Sequence, residues 1–522
     1  MVIRSPFPDV EIPDTSFTDF VLARAGERGD KAALIDGPSG RTITYAELVD
    51  SVRGVAAGLA ARGFRKGDVF AHYAPNLPEY AVAFHGVASA GGVNTTANPL
   101  LTEDELSKQL VDSGARLLVT VPELLEKATA AAQRSGVEEV FVYGEADDAM
   151  PFASLVQTRR EPPEVAIDPA EDVVALPYSS GTTGLPKGVM LTHRNLVANI
   201  CQYLAIQMRE GDRVLAVLPF FHIYGLLLMM NAPLRLAGTV VTMPRFELAE
   251  FLRVIQHYCI TRAFVVPPIV LALAKDPLVD RFDLSSLEFM NSGAAPLSTE
   301  LEAACGTRLG CRITQGYGLT ETSPVTHACP DELAGQMPGT IGPAIPNTEC
   351  RIVDVASDED VPQGEPGELL IRGPQVMKGY LNQPAATANA IDRDGWLHTG
   401  DIARVDDQGV MRIVDRIKEL IKYKGLQVAP AELEGVLLTH PAIADAAVIG
   451  IPDEQAGEIP KAFVVPSAPL TPEDVTAFVA ERVAPYKKIR AVELVEEIPK
   501  SPSGKILRRV LIERERTAAM AR

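Results

Sequence analysis

The sequence predicts an α/β protein: a large N-terminal domain of layered α/β subdomains plus a β-rich subdomain, then a small C-terminal α+β domain. Three observations predict it. Short apolar strand candidates alternate with helical stretches through about residue 330, which argues α/β layers. From Pro338 to Gly373 the chain becomes rich in Gly and Pro, with short strands at Cys350–Val353 and Glu368–Ile371. Beyond residue 416 the pattern resets to a unit of about 100 residues, enough for a domain of its own. The expected limits are 1–416, with subdomains near 1–170, 171–335 and 336–416, and then 417–522.

Thr44-Tyr45-Ala46-Glu47 is a capping box, and Leu48, Val52, Val55 and Leu59 follow at helical spacing until Gly63. Val69–Tyr73 is a strand, with Pro75 and Pro78 after it, and Leu117–Val121 and Glu139–Tyr143 read the same way. Asp406-Asp407-Gln408-Gly409 is a turn between strands, and Val410–Val414 leads into Asp415-Arg416. In the last unit a helix near Ala431–Leu438 precedes strands at Ala446–Ile449 and Ala462–Val465. Thr471-Pro472-Glu473-Asp474 then opens a helix with a capping residue and Pro at the first position.

Composition narrows the function classes. The 522 residues carry 49 Lys and Arg against 68 Asp and Glu, a net charge of −19, which disfavours nucleic acid and anionic membranes as partners. The six Cys form no Cys-x-x-Cys and the eight His no ligand-like pair, which argues against a zinc site or disulfide framework and fits a reducing cytoplasm. The most apolar region, Tyr224–Met243, is broken by Pro233 and Arg235 and reads as buried core, not a membrane span.

Residues 178 to 188 read Tyr-Ser-Ser-Gly-Thr-Thr-Gly-Leu-Pro-Lys-Gly, directly after the apolar run Val173–Leu176. Glycines let a backbone turn tightly around an anion, while hydroxyls, N–H groups and an ammonium neutralise it. The spacing matches neither Walker A nor Gly-x-Gly-x-x-Gly, so by itself it points to nucleotide phosphate and no further. Gln315-Gly316-Tyr317-Gly318-Leu319-Thr320-Glu321 supplies an aromatic for stacking, a hydroxyl for phosphate and a carboxylate for Mg2+, although alone it reads more readily as a surface turn. His398-Thr399-Gly400-Asp401 places a carboxylate in a tight turn, suited to ribose hydroxyls. Asp415–Lys422 is a charged run at the change of texture, and Pro499–Lys505 a rigid basic loop near the C-terminus.

Taken in order, these motifs make the chain resemble the acyl-adenylate-forming superfamily over essentially its whole length. Leu218-Pro219-Phe220-Phe221-His222-Ile223-Tyr224-Gly225 and Lys422–Glu432 look most like 4-coumarate:CoA ligases. The resemblance implies that a carboxylate attacks the α-phosphorus of ATP and that the CoA thiol then displaces AMP. It implies ATP, Mg2+ and CoA as cofactor and co-substrates, a small carboxylic acid as substrate, and a monomer or homodimer.

Residue roles follow from the same resemblance. Ser179, Ser180, Gly181, Thr182, Thr183, Gly184 and Lys187 hold the β- and γ-phosphates; Thr320 contacts the α-phosphate and Glu321 binds Mg2+. Tyr317 and the Ala294-Ala295-Pro296 backbone enclose adenine, with Gln315 and Gly316 also on the nucleotide side, while Asp401 and Arg416 hold the ribose. Lys505 bridges the carboxylate and α-phosphate. A mobile small domain turning about a hinge at Lys418 exchanges Lys505 for Lys422, Gly425 and Gln427 in the thioester step. His222 gates an acyl pocket of Ile223, Tyr224, Ala294, Gly316, Pro324 and Val325, where Tyr224 could bond a phenolic hydroxyl and the Ala294 methyl selects a compact acid such as cinnamate or 4-coumarate. A fatty acyl-CoA ligase and a stand-alone adenylation protein that loads a carrier domain are the alternatives.

Overall fold

The computed structural model describes every residue except 148, 159, 180–185, 425, 454, 502–503 and 521–522, and the side chains of 427 and 518–520. Two eight-stranded sheets carry the N-terminal part. One runs in the order Gly379–Tyr380, Lys187–Thr192, Val173–Ser179, Val93–Thr96, Val69–Tyr73, Ala115–Thr120, Glu139–Val142, Met150–Pro151. It is parallel apart from the two pairings made by Lys187–Thr192. The other runs Val325–Ala328, Arg312–Gly318, Phe289–Ser292, Arg262–Val265, Arg213–Ala216, Thr239–Thr242, Ala32–Asp36, Thr42–Thr44, with antiparallel pairs only at its two ends.

The sheets do not divide at the expected subdomain limits. Strands Val173–Ser179 and Lys187–Thr192 lie in the sheet built mainly by residues before 170, and Ala32–Asp36 crosses into the sheet of residues 213–328. Local pattern marks a strand but carries no information on which sheet it joins; the parallel pairing of Val240 with Leu34 is a contact between distant segments. The β-rich part is a five-stranded sheet, and its edge strand Ile3–Arg4 comes from the N-terminus, pairing with Glu349 and Cys350. The last sheet lies wholly beyond residue 420, with Ile421–Tyr423, Leu426–Val428, Ile443–Asp453, Gly457–Pro466 and Ala491–Leu494.

Local chemistry explains the elements that frame the site. Thr44 and Thr471 each cap a helix reciprocally with the residue three positions on, Glu47 and Asp474, as the sequence predicts. Residues 225–231 form a π-helix whose every residue is buried, so Tyr224–Met243 is core. Such π segments recur at functional sites. Among the described residues no helix is long and apolar enough to cross a membrane.

Candidate active site

Four neighbouring strands of the second eight-stranded sheet run parallel, and their C-terminal ends deliver the site. After Arg213–Ala216 come His222 and Tyr224; after Arg262–Val265 comes Val266; after Phe289–Ser292 come Gly293 and Ala294; Arg312–Gly318 carries Tyr317 near its end and leads to Thr320 and Glu321. Ligands of open α/β sheets sit at this edge because loops from adjacent strands converge there. The turn at Tyr317 is geometrically demanding: a Cβ on Gly318 would lie 1.9 Å from the Pro324 carbonyl oxygen, so only glycine lets the strand approach its antiparallel neighbour.

A cavity of about 60 Å³ opens among these ends, lined by Tyr203, His222, Tyr224, Leu228, Asn291, Gly293, Ala294, Gly316, Tyr317, Thr320, Pro324 and Val325, among others. Lys505 of the small domain lines it too. Its loop is closed on itself: Lys505 N–H donates to Ser501 Oγ at 3.1 Å and Ser501 N–H to the Lys505 carbonyl at 2.8 Å. Gly504, at φ +77°, lies so close to Val266 that a Cβ there would meet Cγ2 at 2.9 Å. The small domain therefore sits with Lys505 directed at the cavity.

The electrostatics of the cavity rim are mixed. Burial and the nearby Arg416 charge push the Lys505 ammonium down to about 8, against the pull of Asp401 and Glu321. Burial and the Lys505 charge push His222 down to about 3, so its ring is neutral, and its Nδ1 accepts the Tyr224 N–H at 3.3 Å. Asp401 and Arg416 face each other in register on adjacent strands, Nε to Oδ1 3.5 Å, and the Tyr317 hydroxyl donates to Asp401 Oδ2 at 2.5 Å. Burial raises the Asp401 carboxyl above its usual range in spite of Arg416.

Other expected residues fall elsewhere. Gln315 is a clamp within the protein: its amide bonds both the N–H and the carbonyl of Leu297 and donates to Glu302 at 2.8 Å, so it shapes the Gly293–Leu297 loop and does not line the cavity. Ile223 is 1% exposed and packs into the core, because its neighbours His222 and Tyr224 take the cavity-facing positions. Ala295 and Pro296 continue the loop beyond the lining, with Pro296 exposed. Ser179 and Lys187 pair across the mouth of the Gly-rich hairpin; Ser180, Gly181, Thr182, Thr183 and Gly184 lie outside the described residues, as do Gly425 and the Gln427 side chain. Lys422 is exposed on Ile421–Tyr423, paired with Gln427, and takes no part in the cavity; Lys418 lies between the strands Met411–Arg416 and Ile421–Tyr423.

Glu321 is buried, and the Tyr380 hydroxyl donates to its Oε1 at 2.9 Å. Among the described residues no group of three or more His, Cys, Asp and Glu could hold a metal. One buried carboxylate still suits Mg2+, which takes few protein ligands and leaves the rest to phosphate oxygens and water. Sequence reasoning missed Tyr380 and Asn291. Tyr380 carries no local signal. Asn291 does: a polar residue in the apolar strand Phe289–Ser292, it accepts the Tyr224 hydroxyl at 3.1 Å and donates to Thr314 at 3.0 Å. The Tyr224 hydroxyl is thus already committed as a donor, and toward a ligand it offers its lone pairs.

This fold and site define an enzyme class. The AMP-binding enzyme family model matches residues 21–381 and the AMP-binding enzyme C-terminal domain matches 432–505, so the chain belongs to the AMP-binding enzyme family. Its similarity then narrows. It is 46% identical to 4-coumarate--CoA ligase 5 of Oryza sativa subsp. japonica, over 98% of this chain and 96% of that protein. It is 44% identical to 4-coumarate--CoA ligase 2 of Petroselinum crispum over the same shares. Its fold matches that of an anthranilate CoA ligase in complex with anthranoyl-AMP, with a TM-score of 0.90 and 27% identity over 98% of this chain and 99% of that one.

Proposed function

We propose that the chain is an ATP-dependent acid:CoA ligase acting on a flat aromatic acid of the cinnamate or 4-coumarate class. The observation that carries the proposal is Lys505 of the small domain lining one cavity with Tyr224, Ala294, Tyr317 and Thr320 of the large one. Aromatic side chains and small residues suit a planar acyl group, and a lysine at the same cavity suits its carboxylate.

A free carboxylate resists thiols because oxide would have to leave. In the first half-reaction a carboxylate oxygen attacks the α-phosphorus, the bond to the β-phosphate bridging oxygen breaks, and pyrophosphate departs. Two anions meet in that step, so positioned cations lower its barrier. Lys505 lies between the two reacting groups, Thr320 meets the α-phosphate, and Lys187 with the Gly-rich hairpin takes the leaving pyrophosphate. Tyr317 stacks on adenine, and Asp401 and Arg416 hold the ribose. Glu321 holds Mg2+, which neutralises phosphate charge. His222, kept neutral, borders the acyl pocket without adding charge to it. In the second half-reaction the thiolate sulfur of CoA attacks the acyl carbon and the bond to AMP breaks. A turn about Lys418 withdraws Lys505 and brings the Lys422 face to the site, giving each step its own surroundings.

CoA-dependent AMP release across aromatic and aliphatic acids tests the reading. Cinnamate and 4-coumarate are expected to exceed octanoate by at least tenfold in kcat/KM. Octanoate in the lead would replace the aromatic assignment, and AMP formation indifferent to CoA would remove the ligase assignment.

Ala294 controls the size of the acid. It lines the cavity at φ +69°, a left-handed backbone that costs an alanine about 1–2 kcal/mol. Ala294→Gly relieves that strain, offset by roughly 0.5–1 kcal/mol of glycine entropy, so Tm is expected to hold or rise slightly. The lost methyl is expected to raise kcat/KM for ring-methoxylated acids relative to cinnamate by about tenfold, the scale of one carbon in an apolar pocket. An unchanged ratio would remove Ala294 as a selector.

A further inference from the structure

We propose that Tyr380 is a positioning residue that sets the Glu321 carboxylate for Mg2+ and seats the Lys187 ammonium for the same nucleotide. The proposal rests on the assignment of MgATP to this site. Three separate segments meet at this side chain. Glu321 follows the strand Arg312–Gly318 of one eight-stranded sheet, and Lys187 opens the strand Lys187–Thr192 of the other. Tyr380 lies on the short strand Gly379–Tyr380, which follows the β-rich strand Gly367–Arg372 in the chain and adds to the edge of the sheet that holds Lys187.

That segment is held as a strap. Lys378 N–H donates to the Met190 carbonyl at 3.0 Å and Leu381 N–H to the Gly188 carbonyl at 2.8 Å, with Val189 opposite Tyr380. On its other side Met377 N–H donates to the Glu321 carbonyl at 2.8 Å. The Tyr380 N–H is taken by Thr387 Oγ1 at 2.9 Å, so the backbone cannot turn without losing several bonds. From this fixed origin the hydroxyl donates to Glu321 Oε1 at 2.9 Å, and the ring face lies 4.8 Å from Lys187 Nζ.

The two contacts do different work. A phenol bonded to one carboxylate oxygen fixes the carboxyl rotamer and leaves the second oxygen for a cation. A ring under an ammonium attracts it through the negative π face without neutralising it, so its charge stays available to phosphate. Groups that orient a metal ligand in this way are worth roughly 10–100-fold in metal affinity.

The test is calorimetric binding of α,β-methylene-ATP to the full chain, with and without Mg2+. In the wild type Mg2+ is expected to strengthen binding. Y380F keeps the ring and removes the donor, so it should lose about tenfold of that enhancement while metal-free binding stays unchanged. E321Q should lose the enhancement entirely, and Y380F should add nothing in that background. Y380L, which also removes the ring, should further weaken metal-free binding. A merely structural role would weaken both conditions equally. Wild-type enhancement in Y380F, or an equal loss in both conditions, would overturn the proposal. Absence of Mg2+-dependent binding in the wild type would instead overturn the assignment of MgATP to the site.

Discussion

Lys505→Ala is expected to slow acyl-adenylate formation by about 10²–10³-fold, the scale for losing one positioned charge in a water-poor site. The side chain lines the cavity beside His222 and Thr320, in the field of Asp401, Glu321 and Arg416. Pyrophosphate exchange reads this step. Conversion of a supplied acyl-adenylate with CoA should survive, because the resting contact of Lys505 is not used there. Lys422→Ala should show the opposite bias, since its exposed strand lies away from the cavity in this orientation. Equal damage to both half-reactions in both variants would sink the two-face scheme.

The same lysine sets a pH limit. Its active form is protonated, and burial has lowered its pKa to about 8. Exchange kcat/KM, which reports the free enzyme, should therefore fall as pH rises through about 8. Lys505→Arg, whose guanidinium stays charged, should retain some activity and lack that limb. A wild-type profile flat to pH 10 would show that the lysine titrates elsewhere.

Arg508→Met is expected to destabilise the small domain by about 3–5 kcal/mol, the cost of leaving a buried carboxylate without its partner. Arg508 donates to both oxygens of Glu434 at 2.8 Å, pairs with Glu419 at 2.8 Å and donates to the Val448 carbonyl at 3.3 Å. The side chains of Arg508 and Glu434 are 14% and 10% exposed, so water offers little compensation. Glu419 also lies 3.7 Å from Arg416, which connects this network across the Lys418 segment to the Asp401 pair. A separate low-temperature unfolding transition and faster proteolysis beyond residue 416 should report the loss. Adding Glu434→Leu should recover most of it, because an apolar pair replaces an ion pair at little net cost. No recovery would mean that Arg508 acts through Glu419 instead.

Much of the fold was legible because its signals are local. Val69–Tyr73 is a strand over the expected residues, and Thr44 and Thr471 start helices through bonds that span three positions. The strand expected at Ala446–Ile449 instead runs from Ile443 to Asp453. Its extension is held by pairing with Gly457–Pro466, which no local pattern encodes. Gln315 and Ile223 face away from the cavity for the same reason. Being next to Tyr317 or His222 in sequence does not decide which way a side chain points; the bonds to Leu297 and Glu302, and the packing of the core, do.

Residue types and short spacings supply the inventory of the chemistry: a Gly-rich loop with Lys187, an aromatic and carboxylate at Tyr317 and Glu321, a ribose candidate at Asp401, and lysines at 422 and 505. Those are properties of residue type and short spacing. Which of them share a cavity is settled by the packing of distant segments. It put Lys505 in and Lys422 out, turned Gln315 inward, and brought Tyr380 between Glu321 and Lys187. The physical reason is that these contacts are made at the ends of strands from different sheets and across a domain boundary. Their geometry is set by sheet order and docking, and neither is written in any short stretch of the chain.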